Sequence, residues 1–184
     1  VELYRDFTST IKFLLEKLLK RHGFNKQTVT FRVKDRASLE KKIKKDGLYR
    51  KLRQITQIDD LAGCRIIFYI EKDIARIIPL LGDDFKIVKQ NKLHYSDKGY
   101  NANHLYVALK KNRLKLSEYS VFADLKCEIQ LTTVLHHSWS ELEHDIIYKP
   151  DEELEEIYKY DQKSKESIKK RFEEIMKTQI MEAQ

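Results

Sequence analysis

Two carboxylates, a spaced group of cations and a glycine-presented tyrosine are the side chains of this sequence best suited to chemistry. Asp60 stands just before the apolar run Cys64-Arg65-Ile66-Ile67-Phe68-Tyr69-Ile70, and Glu128 falls on the polar phase of a second alternating stretch. Carboxylates that converge from two strands suit a Mg²⁺ ion bridging nucleotide phosphates, because this ion takes few protein oxygens and several from its substrate. Carboxylates beside strands also serve as ordinary surface or salt-bridged groups, so spacing alone leaves both readings open. Arg32, Lys34, Arg36, Lys41 and Lys42 surround Ser38. On a strand-to-helix junction Arg32 and Lys34 share a strand face, while Ser38 and Lys42 share a helix face at an i,i+4 step. That cluster could hold a polyphosphate or form a solvated basic helix. Gly99-Tyr100 follows a polar turn and leads into His104. A tyrosine held there can stack on a purine, worth roughly 1–3 kcal/mol, or can pack a hairpin.

Other chemistries are excluded by spacing. His136, His137 and His144 fall on or near one predicted helix, yet no zinc-finger or HExxH pattern accompanies them. His144-Asp145 is an HD dipeptide without the further His and Asp ligands that a phosphohydrolase site needs. No P-loop, dinucleotide-binding glycine fingerprint or GxSxG motif is present. Five Gly and two Pro in 184 residues exclude collagenous and linker-rich chains, and the length fits one domain. Lys and Arg outnumber Asp and Glu by 36 to 29, and this +7 charge predicts an anionic partner. Cys64 and Cys127 each lie in an apolar run and read as reduced core thiols, hence a cytoplasmic protein. No apolar run approaches the roughly 20 residues that span a bilayer, so no membrane partner is expected.

These groups need a scaffold, and the hydrophobic pattern supplies one. Leu3, Phe7, Ile11, Leu14, Leu15, Leu18 and Leu19 form one stripe of a helix over 3–22 that Gly23 can end. Alternation predicts strands over 28–34, 64–70, 85–88, 104–109 and 121–131, the last with Leu125, Cys127, Ile129 and Leu131 inward and Lys126, Glu128 and Gln130 outward. Helical spacing predicts helices over 38–45, capped by Asp35, over 72–81, and over 133–149 up to Pro150. The segment from 151 to the end reads as one amphipathic helix that could pack against a partner. The order favours an α+β fold, a mixed sheet flanked by helices.

Taken in order, Arg32-x-Lys34-x-x-x-Ser38-x-x-x-Lys42, Asp60-Leu-Ala-Gly-Cys-Arg65, Gly99-Tyr100-x-x-x-His104, Glu128-Ile129-Gln130, Glu143-His144 and Tyr148-Lys149 resemble the synthetase domain of RelA/SpoT-type alarmone synthetases. The likeness covers about 31–149. It implies a nucleotidyltransferase-like fold, with a synthetase domain over 1–150 and a C-terminal helical extension over 151–184. It further implies an enzyme that transfers the β,γ-pyrophosphate of ATP to the 3′-hydroxyl of GDP or GTP, releasing AMP. By the same resemblance Arg32 and Arg65 would sandwich the adenine, and Lys34, Ser38 and Lys42 would hold the ATP phosphates. Asp60 and Glu128 would bind Mg²⁺, with Glu128 also orienting or deprotonating the 3′-hydroxyl. Tyr100, His104 and Gln130 would serve the acceptor, and Glu143 and His144 would support the site from a helix.

Departures from the family pattern lie toward the acceptor. Leu131-Thr132-Thr133 follows Glu-Ile-Gln where the family commonly has Ile-Arg-Thr, and Asn101-Ala102-Asn103 follows Tyr100 where Arg or Gln and then Ser are frequent. Two alternatives follow: a toxic relative that modifies the 3′-end of tRNA or an adenine nucleotide, and a non-catalytic nucleotide- or RNA-sensing module. The hydrolase domain of the long family members has no counterpart in these motifs, so the resemblance implies a small stand-alone synthetase or an excised domain. The C-terminal helix would then mediate homo-oligomer or interdomain packing.

Overall fold

The apolar stripe near the N-terminus forms α1 (Glu2–Arg21), whose Phe7, Ile11, Leu15, Leu18 and Leu19 are fully buried. The helix ends at Gly23, which adopts a left-handed φ of 75° that favours glycine. There the Phe24 amide donates to the Leu19 carbonyl at 3.0 Å, and the Phe24 ring turns edge-on to Phe68. The computed structural model describes residues 2–24, 27–45, 56, 58–95, 100–148, 152–175 and 178.

Five strands follow: β1 (Gln27–Val33), β2 (Ala62–Phe68), β3 (Phe85–Tyr95), β4 (Tyr100–Leu109) and β5 (Cys127–Thr133). They form one mixed sheet in the order β1-β2-β5-β4-β3, with β2 and β5 parallel and every other pair antiparallel. The parallel pair requires a long crossover, supplied by α3 (Glu71–Asp84), the β3–β4 hairpin and the short helices α4 (Lys111–Leu114) and α5 (Ser117–Ser120). The remaining helices are α2 (Arg36–Lys45), α6 (Val134–Glu143), α7 (Glu152–Tyr160) and α8 (Gln162–Ile175).

The register gives the sheet two unlike faces. Cys64, Ile129 and Leu105 lie side by side on one face, each with at most 1% of its surface exposed. Helix α1 covers that face at β1 and β2, so that Cys64 Sγ lies 3.8 Å from the Thr8 carbonyl of the helix, and α3 packs beside it, on β2, β5 and β3, through Ile74, Ile77 and Leu81. On the opposite face two polar rungs cross all five strands. One runs Arg32, Gly63, Glu128, Tyr106, Lys89; the other runs Thr30, Arg65, Gln130, His104, Asn91. Helix α6 reaches over this face, as its contacts with Arg65 below describe.

Several element boundaries differ from those the sequence predicts. The strand expected over 121–131 begins only at Cys127, because α5 and the turn after it run through Asp124, which has a φ of 66°. Phe122 is turned inward there, against Phe7 at 5.5 Å. The strand expected over 85–88 extends to Tyr95, sustained by pairing with β4 across a bulge near Val88. The helix expected over 72–81 runs from Glu71 to Asp84 and carries Pro79 on its exposed side. The helix expected over 133–149 starts at Val134, because the Thr133 hydroxyl caps it by accepting the His136 amide, and it turns into a π-helical segment, His144–Tyr148. The C-terminal segment is two helices rather than one: Asp161 interrupts it and caps α8 by accepting the Ser164 amide at 3.0 Å. Gly99, Lys149 and Pro150 lie outside the described residues.

Candidate active site

Glu128 is the most constrained group on the polar face. It is 6% exposed and accepts three hydrogen bonds, from His104 Nδ1 and the Tyr106 hydroxyl on Oε1 and from Gln130 Nε2 on Oε2, each at 2.9 Å. Backbone pairing fixes these partners. Tyr106 is in register with Glu128, His104 is in register with Gln130, and Gln130 is two residues along the same strand as Glu128. Burial by itself raises the pKa of Glu128, but the hydrogen bond and charge of His104, with the bonds from Tyr106 and Gln130, outweigh it and hold the carboxyl below its ordinary value. Glu128 is therefore charged at neutral pH and can only accept, so His104 must carry its proton on Nδ1.

Tyr106 is pushed the opposite way. Burial raises the phenol first, and the charge of Glu128 and its hydrogen bond follow, with Asp59 and Asp60 adding to them. The phenol stays protonated and acts as a donor. Tyr106 thus lies within electrostatic reach of Glu128, Asp59 and Asp60.

Along the other rung, Arg65 Nε donates to Gln130 Oε1 at 3.1 Å, and Nη1 lies 3.1 Å from both His137 Nδ1 and Glu141 Oε1. His137 and Glu141 stand one turn apart on α6 and reach the guanidinium together. Because Arg65 can only donate, His137 Nδ1 must be the acceptor, which requires a neutral ring. Burial and the Arg65 charge both lower the His137 pKa, against an opposing effect of Glu141.

Arg32 and Arg65 line one cavity of about 230 Å³ with Thr30, Phe31, Gly63, Gln130 and Glu141. The stem of Arg32 lies over Gly63, and a side chain added there would meet Arg32 Cγ at 3.6 Å. The two guanidinium groups thus border one space, whose floor connects through Gln130 to Glu128.

The remaining sequence-predicted groups are disposed as follows. Lys34 forms an ion pair with Asp60, both largely shielded, and next to them Lys126 pairs with Asp59 at 2.6 Å. Ser38 sits in the first turn of α2, where its amide and hydroxyl both donate to Asp35 at 2.8 and 2.7 Å, which is the cap expected from Asp35. His144 Nδ1 lies 2.9 Å from Asp145 on the exposed π-helical segment, and Glu143 ends α6. Lys42 lies on α2 and Tyr100 begins β4, but their side chains lie outside the described residues. Sequence reasoning did not single out Tyr106 or Glu141, and it weighed His137 only as a metal ligand, which it excluded. Tyr106 could have been found from its two-residue step from His104, and His137 and Glu141 from their one-turn spacing.

Among the described residues no three or more His, Cys, Asp or Glu side chains form a closed metal cage. Among the described residues, Oε2 of Glu128 has a single protein partner, Gln130, while Oε1 has two.

Cys64 and Cys127 are both free thiols buried on the opposite face, 3.8 Å apart, as expected. No helix among the described residues is long and apolar enough to cross a membrane.

Comparison with known proteins gives one consistent result. A family model described as "Region found in RelA / SpoT proteins" matches residues 31–153. GTP pyrophosphokinase YwaC of Bacillus subtilis (strain 168) is 32% identical over 134 residues, covering 70% of this chain and 61% of that protein. GTP pyrophosphokinase YjbM of the same organism is 29% identical over 163 residues, covering 85% of this chain and 74% of its own. Among solved structures, small alarmone synthetase 1 from Bacillus subtilis superposes with a TM-score of 0.71 at 25% identity, over 95% of this chain and 85% of that one. The same synthetase bound to its product pppGpp superposes with a TM-score of 0.66 at 25% identity, over 94% and 91% of the two chains.

Proposed function

Because this chain belongs to the family of RelA/SpoT proteins, we propose that it transfers the β,γ-pyrophosphate of ATP to the ribose 3′-hydroxyl of GDP or GTP. The observation that carries this reading is Glu128, a buried and charged carboxylate joined through Gln130 to the arginine-lined cavity and through His104 to the β4 side of the same polar face. Such a carboxylate, standing between two sites, suits the abstraction of a proton from one substrate as it attacks the other. The named activity of YwaC and YjbM and the pppGpp complex of the structural relative support the same chemistry. The chain spans 61% of the length of YwaC, so the reading applies to this chain alone.

In this reading Arg32 and Arg65 stack on the adenine across the 230 Å³ cavity, a task suited to planar guanidinium groups. Lys34, Ser38 and Lys42 hold the triphosphate; Lys34 exchanges Asp60 for phosphate, and Ser38 releases Asp35. Asp60 and Glu128 would hold Mg²⁺, which supplies charge neutralisation on the phosphates when bound. Tyr100 stacks on the acceptor base, while His104 and Gln130 keep Glu128 aimed at the 3′-hydroxyl. Glu128 takes the hydroxyl proton, the hydroxyl oxygen bonds to the β-phosphorus, and the bond from that phosphorus to the α,β-bridging oxygen breaks, so AMP leaves. Transfer of this kind needs chiefly positioning and charge stabilisation, which this constellation offers. We also propose a synthetase unit over 1–150 and, in 151–184, helices that pack against a second copy or a flanking domain; reduced Cys64 and Cys127 suit a cytoplasmic setting.

The test is an acceptor panel: labelled ATP and Mg²⁺ with GDP, GTP, an adenine nucleotide or tRNA, followed by separation of the products. Label on a guanine nucleotide with stoichiometric AMP is expected. Label confined to tRNA or to an adenine nucleotide, or no transfer, overturns the proposal.

A further inference from the structure

We infer that Tyr106 is a positioning residue that determines which oxygen of Glu128 meets the reacting groups, an inference resting on the pyrophosphate-transfer reading above. A carboxylate oxygen has two acceptor sites. On Glu128 Oε1 both are filled, one by the Tyr106 hydroxyl and one by His104 Nδ1, each at 2.9 Å. Among the described residues Oε2 has a single protein partner, Gln130 Nε2. One acceptor site of Oε2 is therefore left, so Glu128 engages a metal ion through Oε2 in a monodentate way and takes the hydroxyl proton on the same oxygen, where the Gln130 amide yields its place.

The setting of Tyr106 suits that task. It stands in register with Glu128 on the neighbouring strand, so the backbone ladder itself sets the approach of the phenol. The Lys89 ammonium lies over its ring, 5.4 Å from the centroid. On the other side of Glu128 in the same rung is Gly63, which has no side chain to compete for the carboxylate. His104 alone would leave Oε1 with a vacant acceptor site, and the carboxylate could then chelate a cation through both oxygens. Tyr106 closes that alternative. A carboxylate bound to a cation through both oxygens is a poor base for the acceptor hydroxyl, so the restriction bears on turnover more than on nucleotide binding.

The test is Tyr106→Phe, which keeps the ring and its packing and removes only the hydroxyl. Steady-state AMP release should show kcat lowered roughly 10-fold, in line with loss of a partner that orients a metal-site ligand. KM for ATP and for the acceptor should stay within about two-fold, the pattern of an interaction used only in the transition state. The second readout does not depend on turnover. Infrared difference spectra recorded on adding Mg²⁺ with a non-hydrolysable ATP analogue report the separation of the two carboxylate stretching bands, which is wide for monodentate and narrow for bidentate coordination. Glu128→Gln identifies the bands of Glu128. The wild type should show the wide separation and Tyr106→Phe the narrow one. An unchanged kcat, or a loss divided equally between kcat and KM, overturns the inference, as does the same band separation in both proteins. If the wild type transfers no pyrophosphate to any acceptor, the functional reading fails, while the infrared comparison still decides whether Tyr106 controls Glu128.

Discussion

Glu128→Gln separates chemistry from folding more sharply than any other single change in this protein. Glutamine keeps the volume and can still lie among His104, Tyr106 and Gln130, but it has neither a charge nor a basic oxygen. Three hydrogen bonds to an ion, worth about 1.5–3 kcal/mol each, become neutral ones worth about 0.5–1.5. That loss of roughly 3–4 kcal/mol is offset by no longer burying a carboxylate charge in a residue only 6% exposed, a penalty that is itself several kcal/mol. The amide has two orientations available. With its nitrogen toward Gln130 it sets two donors against each other; with its nitrogen toward Oε1's former partners, His104 and Tyr106 must become acceptors. Either way the net change in stability should be about 1 kcal/mol, a shift of roughly 2–4 °C in Tm for a chain of this size. Transfer should fall by about 10²–10⁴-fold, the contribution of a positioned general base. Thermal unfolding and AMP release measured on the same preparation decide the matter. A variant that unfolds at room temperature refutes the stability reasoning, and one that retains more than about a tenth of wild-type kcat refutes the assignment of Glu128 as the base.

Two further expectations concern the α6 side of the cavity. Arg65→Lys cannot reach Gln130, His137 and Glu141 at once and loses the planar surface facing Arg32, so KM for ATP should rise roughly 10-fold, about 1.4 kcal/mol, with little change in kcat; an unchanged KM would remove Arg65 from the donor site. His136 and His137 are held neutral in the fold, their pKa values lowered chiefly by burial, so their contribution to stability is present above the unfolded value of about 6.5 and is lost as pH falls from there through their folded-state values. Urea unfolding at about pH 7.5 and 5.5 should show lower stability at the acid end, and His136→Asn with His137→Asn should flatten that difference; an unchanged slope would contradict the neutral assignment.

Much of this site can be read from strand alternation. Glu128 and Gln130 face away from the core because Cys127, Ile129 and Leu131 face into it, and the period of two admits no other arrangement. Register between strands is another matter. Nothing local tells that Arg32 lies opposite Gly63, or that Gly63 lies beside Glu128, yet these pairings bring groups separated by up to 96 residues in sequence, from Arg32 to Glu128, into one rung. Tyr106 shares a strand face with His104 at a two-residue step, but in sequence it is one more aromatic residue on an alternating strand, and its register with Glu128 is what ties it to the carboxylate. The sequence directs attention on α6 to Glu143 and His144, whereas His137 and Glu141 are the α6 side chains that meet Arg65, because strand β5 delivers the helix with that side toward the sheet. Boundaries moved where short turns intervened, at α5 and at Asp161, which caps α8. Such turns depend on one or two side-chain bonds and leave a faint hydrophobic pattern.

The paired thiols beneath the sheet also have an experimental use. Cys64 is flanked by Gly63 and Arg65, and Cys127 by Glu128, so each sulfur hangs from the backbone that carries the polar rungs, on the side sealed by α1. Burial raises the Cys127 thiol well above its ordinary value, which makes it unreactive while the core stays closed. A thiol reagent can therefore modify these positions only after the helices α1 and α3 separate from β2 and β5. The rate of that modification, followed in the unaltered protein with and without nucleotide, is an internal gauge of how firmly substrate clamps the floor on which it sits.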